Sequence, residues 1–195
     1  MILKVVKYGH PALRKKGANI EAVTPVIKTL IADMFETMYD ARGIGLAAQQ
    51  VGEPLQITVI DVREASAERP STLELNGKPA DVGDFMPLVL INPEVKPVGR
   101  TVPGPEGCLS FPEVYADIVR PETVDVSAMN EKGERIEFRC GGLLARAVQH
   151  ETDHLNGILF IDRMDSETKQ ELKPELEALQ ARTKAELQKK KQPVL

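Results

Sequence analysis

The chain has 195 residues, enough for one domain with one core, and its 42% hydrophobic and 28% charged content suits an ordinary soluble globular protein. A net charge of −4 argues against a general nucleic-acid binder, and no specific DNA binding is expected. No apolar run approaches the roughly 20 residues that span a bilayer, lysines interrupt the apolar start, and two cysteines make no disulfide framework, so no membrane partner and a cytoplasmic location are expected.

Residues 2 to 7 alternate weakly and predict an edge strand, followed by a turn at Tyr8-Gly9-His10-Pro11 in which His10 reads as structural. Thr24-Pro25 opens a helix, with Thr24 as N-cap and Pro25 at the first helical position. Val26, Ile27, Leu30, Ile31, Met34, Phe35 and Met38 recur at helical spacing and predict its buried face, and Gly43 reads as its stop. The small residues of Gly43-Ile44-Gly45-Leu46-Ala47-Ala48 imply that something approaches the backbone closely. The stretch lacks the preceding strand and the Gly-Lys-Ser/Thr ending of a phosphate loop.

Residues 55–62 predict a strand. Residues 63–86 are polar and read as a surface insertion with a hairpin turn at Asn76-Gly77. A strand at 88–91 ends at Asn92-Pro93, and 101–107 reads as a Pro/Gly loop. Residues 115–119, 123–128 and 135–138 predict consecutive antiparallel strands. Gly141-Gly142 breaks the sheet before a helix at 143–156 that Gly157 stops, and 158–161 predicts a short strand. From Ser166 the chain is helical, with Leu172, Leu176, Leu179 and Leu187 apolar and Pro174 kinking or restarting the helix. Acids dominate residues 167–177, whereas Arg182, Lys184, Lys189, Lys190 and Lys191 face the single acid Glu186 at the end.

His150-Glu151-Thr152-Asp153-His154 reads H-E-x-x-H. On a helix, two His four residues apart share a face, about 6 Å apart along the axis, and reach one divalent metal. The acid between them is placed to act on water as a general base. A catalytic site of this kind needs a third ligand and an open position. Asp153 is on the wrong face, and Cys108 is the best candidate; the residue types alone leave it either a ligand or a small buried hydrophobe. A zinc peptidase with His or Glu as third ligand is one rival. A closed structural site, completed by His10 or Cys140, is another.

Three stretches together resemble the peptide deformylase family: GIGLAAQQVG at 43–52, EGCLSFP at 106–112 and QHETDHLNG at 149–157. The resemblance implies an α+β fold, with antiparallel strands around the H-E-x-x-H helix and helices near both termini. It implies a catalytic unit at 1–165 and a helical extension with a basic end at 166–195. It also implies removal of the formyl group from N-formylmethionyl nascent peptides. The cofactor would be one divalent metal, natively Fe(II), with Zn, Ni or Co as substitutes. Carried over by motif, Cys108, His150 and His154 are the metal ligands and Glu151 is the general acid/base. Gln50 and the backbone N–H of Leu109 face the formyl oxygen, and Ile44, Gly45 and Gly107 contact the peptide backbone. Leu143, Arg146 and Ala147 share the face of His150 and are expected to line the methionine pocket, although Leu143 reads equally as core. Residues 63–86 are longer than in the shortest members, and Phe111 stands where a smaller aliphatic is common. In some members a C-terminal helix docks on the ribosome, which makes the ribosome an expected partner of the basic end.

Overall fold

The computed structural model describes residues 1–191, with side chains up to residue 189. In chain order the elements are α1 (Pro25–Asp40), β1 (Gly45–Ala47), β2 (Ile57–Ile60), β3 (Ser71–Leu75), β4 (Lys78–Pro79), α2 (Val82–Phe85), β5 (Leu88–Cys108), β6 (Phe111–Met129), β7 (Arg135–Gly141), α3 (Gly142–Leu155) and α4 (Ser166–Lys191). The seven strands form one sheet in the order β1-β2-β5-β6-β7-β3-β4, with every neighbouring pair antiparallel. The fold is α+β, and α3 packs on β6, β1, β2, β3 and β7 at its centre.

Helix α1 starts as the sequence predicts: Thr24 Oγ1 accepts from Ile27 N, and Pro25 occupies the first turn. Ile31, Met34 and Met38 are buried with Leu46, Ile57 and Val59 of β1 and β2, whereas Val26 points to solvent at 76% exposure. Its end differs from expectation. Gly43 N donates to Met38 O and Arg42 N to Tyr39 O, so the left-handed residue of this paired closure is Arg42, at φ +54°, one position before the glycine.

Residues 2 to 7 form no strand; isolated bonds tie them down instead, among them Val6 N to Gln50 O at 2.8 Å. The stretch at 63–86 is no mere surface insertion. The Asn76-Gly77 turn closes the β3–β4 hairpin as expected, but β3 then pairs with β7 and buries Leu73 in the main core. Asn92-Pro93 ends the pairing with β2 and shifts the register between Ile91 and Glu94, but the strand runs on through it and through 101–107, so β5 and β6 form one long hairpin. Beyond Ile91 the strand β5 has no partner on its β2 side, so Pro97, Pro103 and Pro105 can turn their missing N–H outward without costing a ladder bond. Residues 160–162 form a 3₁₀ turn rather than a strand.

Helix α4 runs through Pro174. The lost backbone bond is offset by packing on both sides, where Leu172, Leu176 and Leu179 meet Phe111, Ile118 and Phe160. Among the described residues, no helix is long and apolar enough to cross a membrane.

Candidate active site

Helix α3 carries the H-E-x-x-H motif, and its start depends on another part of the chain. Gly141 offers no side-chain cap. Leu144 N donates to Ser71 Oγ at 2.9 Å and Leu143 N to Pro70 O at 3.2 Å, so the first residue of β3 and the one before it satisfy two orphan N–H groups. Gly142, at φ +65°, lies so close to Pro70 O that no side chain fits there.

One turn apart, His150 and His154 put their rings 5.0 Å from each other, on the side facing the β5–β6 turn. Cys108, the last residue of β5, presents Sγ 3.3 Å from His154 Nε2. Ligand atoms of Cys108, His150 and His154 all lie within 4.8 Å of one another. His10 instead caps a 3₁₀ turn, with Nδ1 accepting from Ala12 N at 3.2 Å. Cys140 is free and buried in β7, and burial pushes its thiol up to about 12. Neither completes a closed four-ligand site.

The donor set fits a divalent metal. His150 Nδ1 is engaged by Glu106 Oε2 at 2.9 Å, which leaves Nε2 for coordination. Thiolate and imidazole together suit Zn, Fe, Ni or Co. A further buried polar atom, Glu151 Oε2, has no partner among the described residues, as befits an unfinished polar site.

Glu151 lies opposite the Gly43–Ala48 run. A Cβ on Gly45 would collide with its carboxylate, so Glu151 is the group whose close approach the small residues signalled. Burial pushes Glu151 up to about 7. Gln50 follows β1 in a 3₁₀ turn; its Oε1 accepts from Ala47 N at 2.9 Å, so Nε2 is the end turned toward Cys108 Sγ, 3.5 Å away.

A cleft of about 710 Å³ opens above these groups. Ile44, Gly45, Gln50, Gly107, Leu109, Leu143, Arg146, Ala147, Glu151, Cys108 and His150 all line it, and His154, 1% exposed, lies behind Cys108 and His150 with its ligand atom grouped with theirs, so the structure brings every predicted site residue together. Arg146 contributes more than an apolar stem. Its guanidinium donates to Glu106 at 3.0 Å and to the carbonyls of Ile118 and Val102.

The sequence reading missed Glu106 and the charges behind it. Burial works against the ionised form of Glu106, but His150 and Arg120 hold its carboxyl at about 2. Arg120 also donates to Asp153 at 2.8 Å, and Asp153 takes both arms of Arg163 at 2.6 Å. Asp153 is thus taken up by Arg120 and Arg163 and stays outside the Cys108–His150–His154 group, as its position in the motif predicts. Burial opposes a charge on His150, yet bonds to Cys108 and Glu106 raise it well above the ordinary range; burial and the neighbouring His150 lower His154.

The polypeptide deformylase family model matches residues 2–170. The chain belongs to that family. Peptide deformylase from Opitutus terrae is 42% identical over 187 residues, spanning 95% of this chain and 96% of the relative. That from Methylacidiphilum infernorum is 46% identical over 179 residues, spanning 92% and 93%. The crystal structure of a peptide deformylase from Legionella pneumophila superposes with a TM-score of 0.76 at 35% identity, over 99% of this chain and 100% of that one. Membership makes this chain a metal-dependent hydrolase that removes the N-formyl group from nascent peptides.

Proposed function

We propose that deformylation takes place at the floor of the cleft, with Cys108, His150 and His154 as the ligands of one divalent metal and Glu151 as the proton carrier. The observation that supports this most strongly is the Cys108–His150–His154 group, with Glu151 and Gln50 beside it in the same cleft. A bound metal supplies Lewis acidity toward the formyl oxygen and toward water. Fe(II) is the native ion in this reading, with Zn, Ni or Co able to substitute.

The chain's own groups do the rest. Glu151 is raised by burial into the range where a carboxyl takes a proton from water and returns it to the leaving amine near neutral pH. The Gln50 amide, fixed by Ala47 N, and the Leu109 N–H meet the charge that develops on the formyl oxygen. Leu143 and Ala147, with the stem of Arg146, form a wall for the methionine side chain. The nascent peptide lies extended between Ile44–Gly45 and Gly107. Both belong to open strand edges: β1 ends the sheet, and β5 lacks a second partner at residue 107.

Residues 1–165 form the catalytic unit in this reading, with 166–195 as an extension, and the enzyme works in the cytoplasm. The extension's basic end favours the ribosome as a partner. Neutralising Arg182, Lys184 and Lys189 should then weaken ribosome pelleting at low salt, and unchanged pelleting refutes that role. The central test is formate release from formyl-Met-Ala-Ser by metal-loaded protein. Release that stops on metal removal and returns on reloading supports the assignment; no release from loaded protein refutes it.

A further inference from the structure

The chain carries a net charge of −4, yet the mouth of the cleft is basic. Lys7, Arg42 and Arg69 line it, and Glu113 is the one rim carboxylate among the described lining residues. Deeper in, Arg146 is neutralised by Glu106. The three rim cations are not neutralised in this way. Lys7 Nζ donates to Leu109 O at 2.7 Å and Arg69 Nη2 to Pro105 O at 3.0 Å. A carbonyl fixes such a group without cancelling its charge. No described carboxylate forms an ion pair with Lys7, Arg42 or Arg69.

Their placement is defined by backbone. Arg42 is held at φ +54° by the closure of α1 and immediately precedes Gly43, Ile44 and Gly45. Arg69 and Lys7 attach to carbonyls on either side of Gly107, one at Pro105 and one at Leu109. Both banks of the path between Gly45 and Gly107 therefore carry positive charge, free of any described anionic partner at Arg42 and Arg69 and, at Lys7, opposed by burial and offset by the Cys108 sulfur.

We propose that this rim selects formylmethionyl peptides by charge, favouring Asp or Glu in the residues after the methionine and disfavouring Lys or Arg there. The inference rests on the deformylase reading of the same cleft. An exposed ion contact changes affinity by up to about five-fold. Attraction of one sign and repulsion of the other together give about ten-fold between peptides of opposite charge. The effect fades as salt shortens the screening length from about 10 Å at 0.1 M to about 3 Å at 1 M.

The test compares kcat/KM of the metal-loaded enzyme on formyl-Met-Glu-Ser, formyl-Met-Ala-Ser and formyl-Met-Lys-Ser, at low salt and near 1 M salt. The expected order at low salt is Glu above Ala above Lys, with a spread of about ten-fold that lies mostly in KM and shrinks in high salt. Arg42→Gly removes a charge at a backbone conformation glycine accepts freely, and Arg69→Gln removes one elsewhere on the rim. Each should lower the Glu-to-Lys ratio several-fold. Equal kcat/KM on all three peptides, the reverse order, or a ratio indifferent to salt and to both substitutions overturns the inference while deformylation stands. No formate from the neutral peptide overturns the deformylase reading and this inference with it.

Discussion

At the residue scale, the side chains proposed to bind metal and those proposed to move protons are separable by substitution. Glu151 is predicted to carry protons without being a ligand, and Gln has nearly its volume. Glu151→Gln is expected to keep the metal at full stoichiometry while turnover falls by about 10²–10⁴-fold, the usual cost of losing a general acid/base. Cys108→Ser exchanges a thiolate for a weak hydroxyl ligand, so metal and activity should disappear together. Metal analysis beside formate release checks both; a metal-free Glu151→Gln protein, or one with normal turnover, sinks the assignment. These residues were legible because their chemistry is rare: two His at helical spacing around a Glu admit few structural explanations. Glu106 was not legible. Glu106 opens the EGCLSFP stretch, but nothing local says what it holds, because its partners Arg120, Arg146 and His150 lie 14, 40 and 44 residues along the chain. Only folding shows that one carboxylate holds the ring of His150, a proposed metal ligand, and two guanidinium groups.

At the scale of elements, local signals succeeded where the element's reasons are local. Thr24-Pro25 caps α1 as read, and Asn76-Gly77 turns the β3–β4 hairpin. They failed where tertiary pairing decides. The prolines of 93–105 read as breakers, yet the open edge of β5 tolerates them. The polar 63–86 stretch reads as solvent-facing, yet Pro70 and Ser71 within it cap α3. That cap gives a prediction. Ser71→Ala leaves Leu144 N without its acceptor at the mouth of the motif helix. The expected loss is about 1 kcal/mol, or a fall in Tm of about 2–4 °C for a chain of this size. Thermal melting of the two metal-free proteins measures it, and an unchanged Tm shows that water replaces the hydroxyl at no cost.

At the scale of the whole molecule, carboxylates held by guanidinium groups lie below the ordinary range, and this sets the acid limb of stability. Glu106 is held at about 2 by His150 and Arg120 against the opposing effect of burial. Asp61 and Asp162 are likewise depressed, because Arg63 and Arg14 outweigh their burial. A depressed carboxyl binds fewer protons folded than unfolded, so its stabilisation is complete above the unfolded value and is lost as pH falls through the folded one. His154, lowered by burial, acts in the same direction, because the unfolded imidazole takes up a proton that the folded one refuses. Glu151, raised to about 7, works oppositely between about 7 and 4.5, where the folded chain holds the extra proton, and contributes no further change below the unfolded value. Below about pH 4.5, then, all four groups act together. Metal-free protein should lose stability steadily between about pH 4.5 and pH 2, with Glu106 contributing on the order of 3 kcal/mol. Urea midpoints taken at intervals across this range test the expectation. Glu106→Gln should lower stability at neutral pH, because one acceptor of Arg120 and His150 becomes an N–H donor, and should flatten the limb, because the amide does not titrate there. A limb of the same slope in that variant would place the acid sensitivity in the surface pairs and not in the charges behind His150.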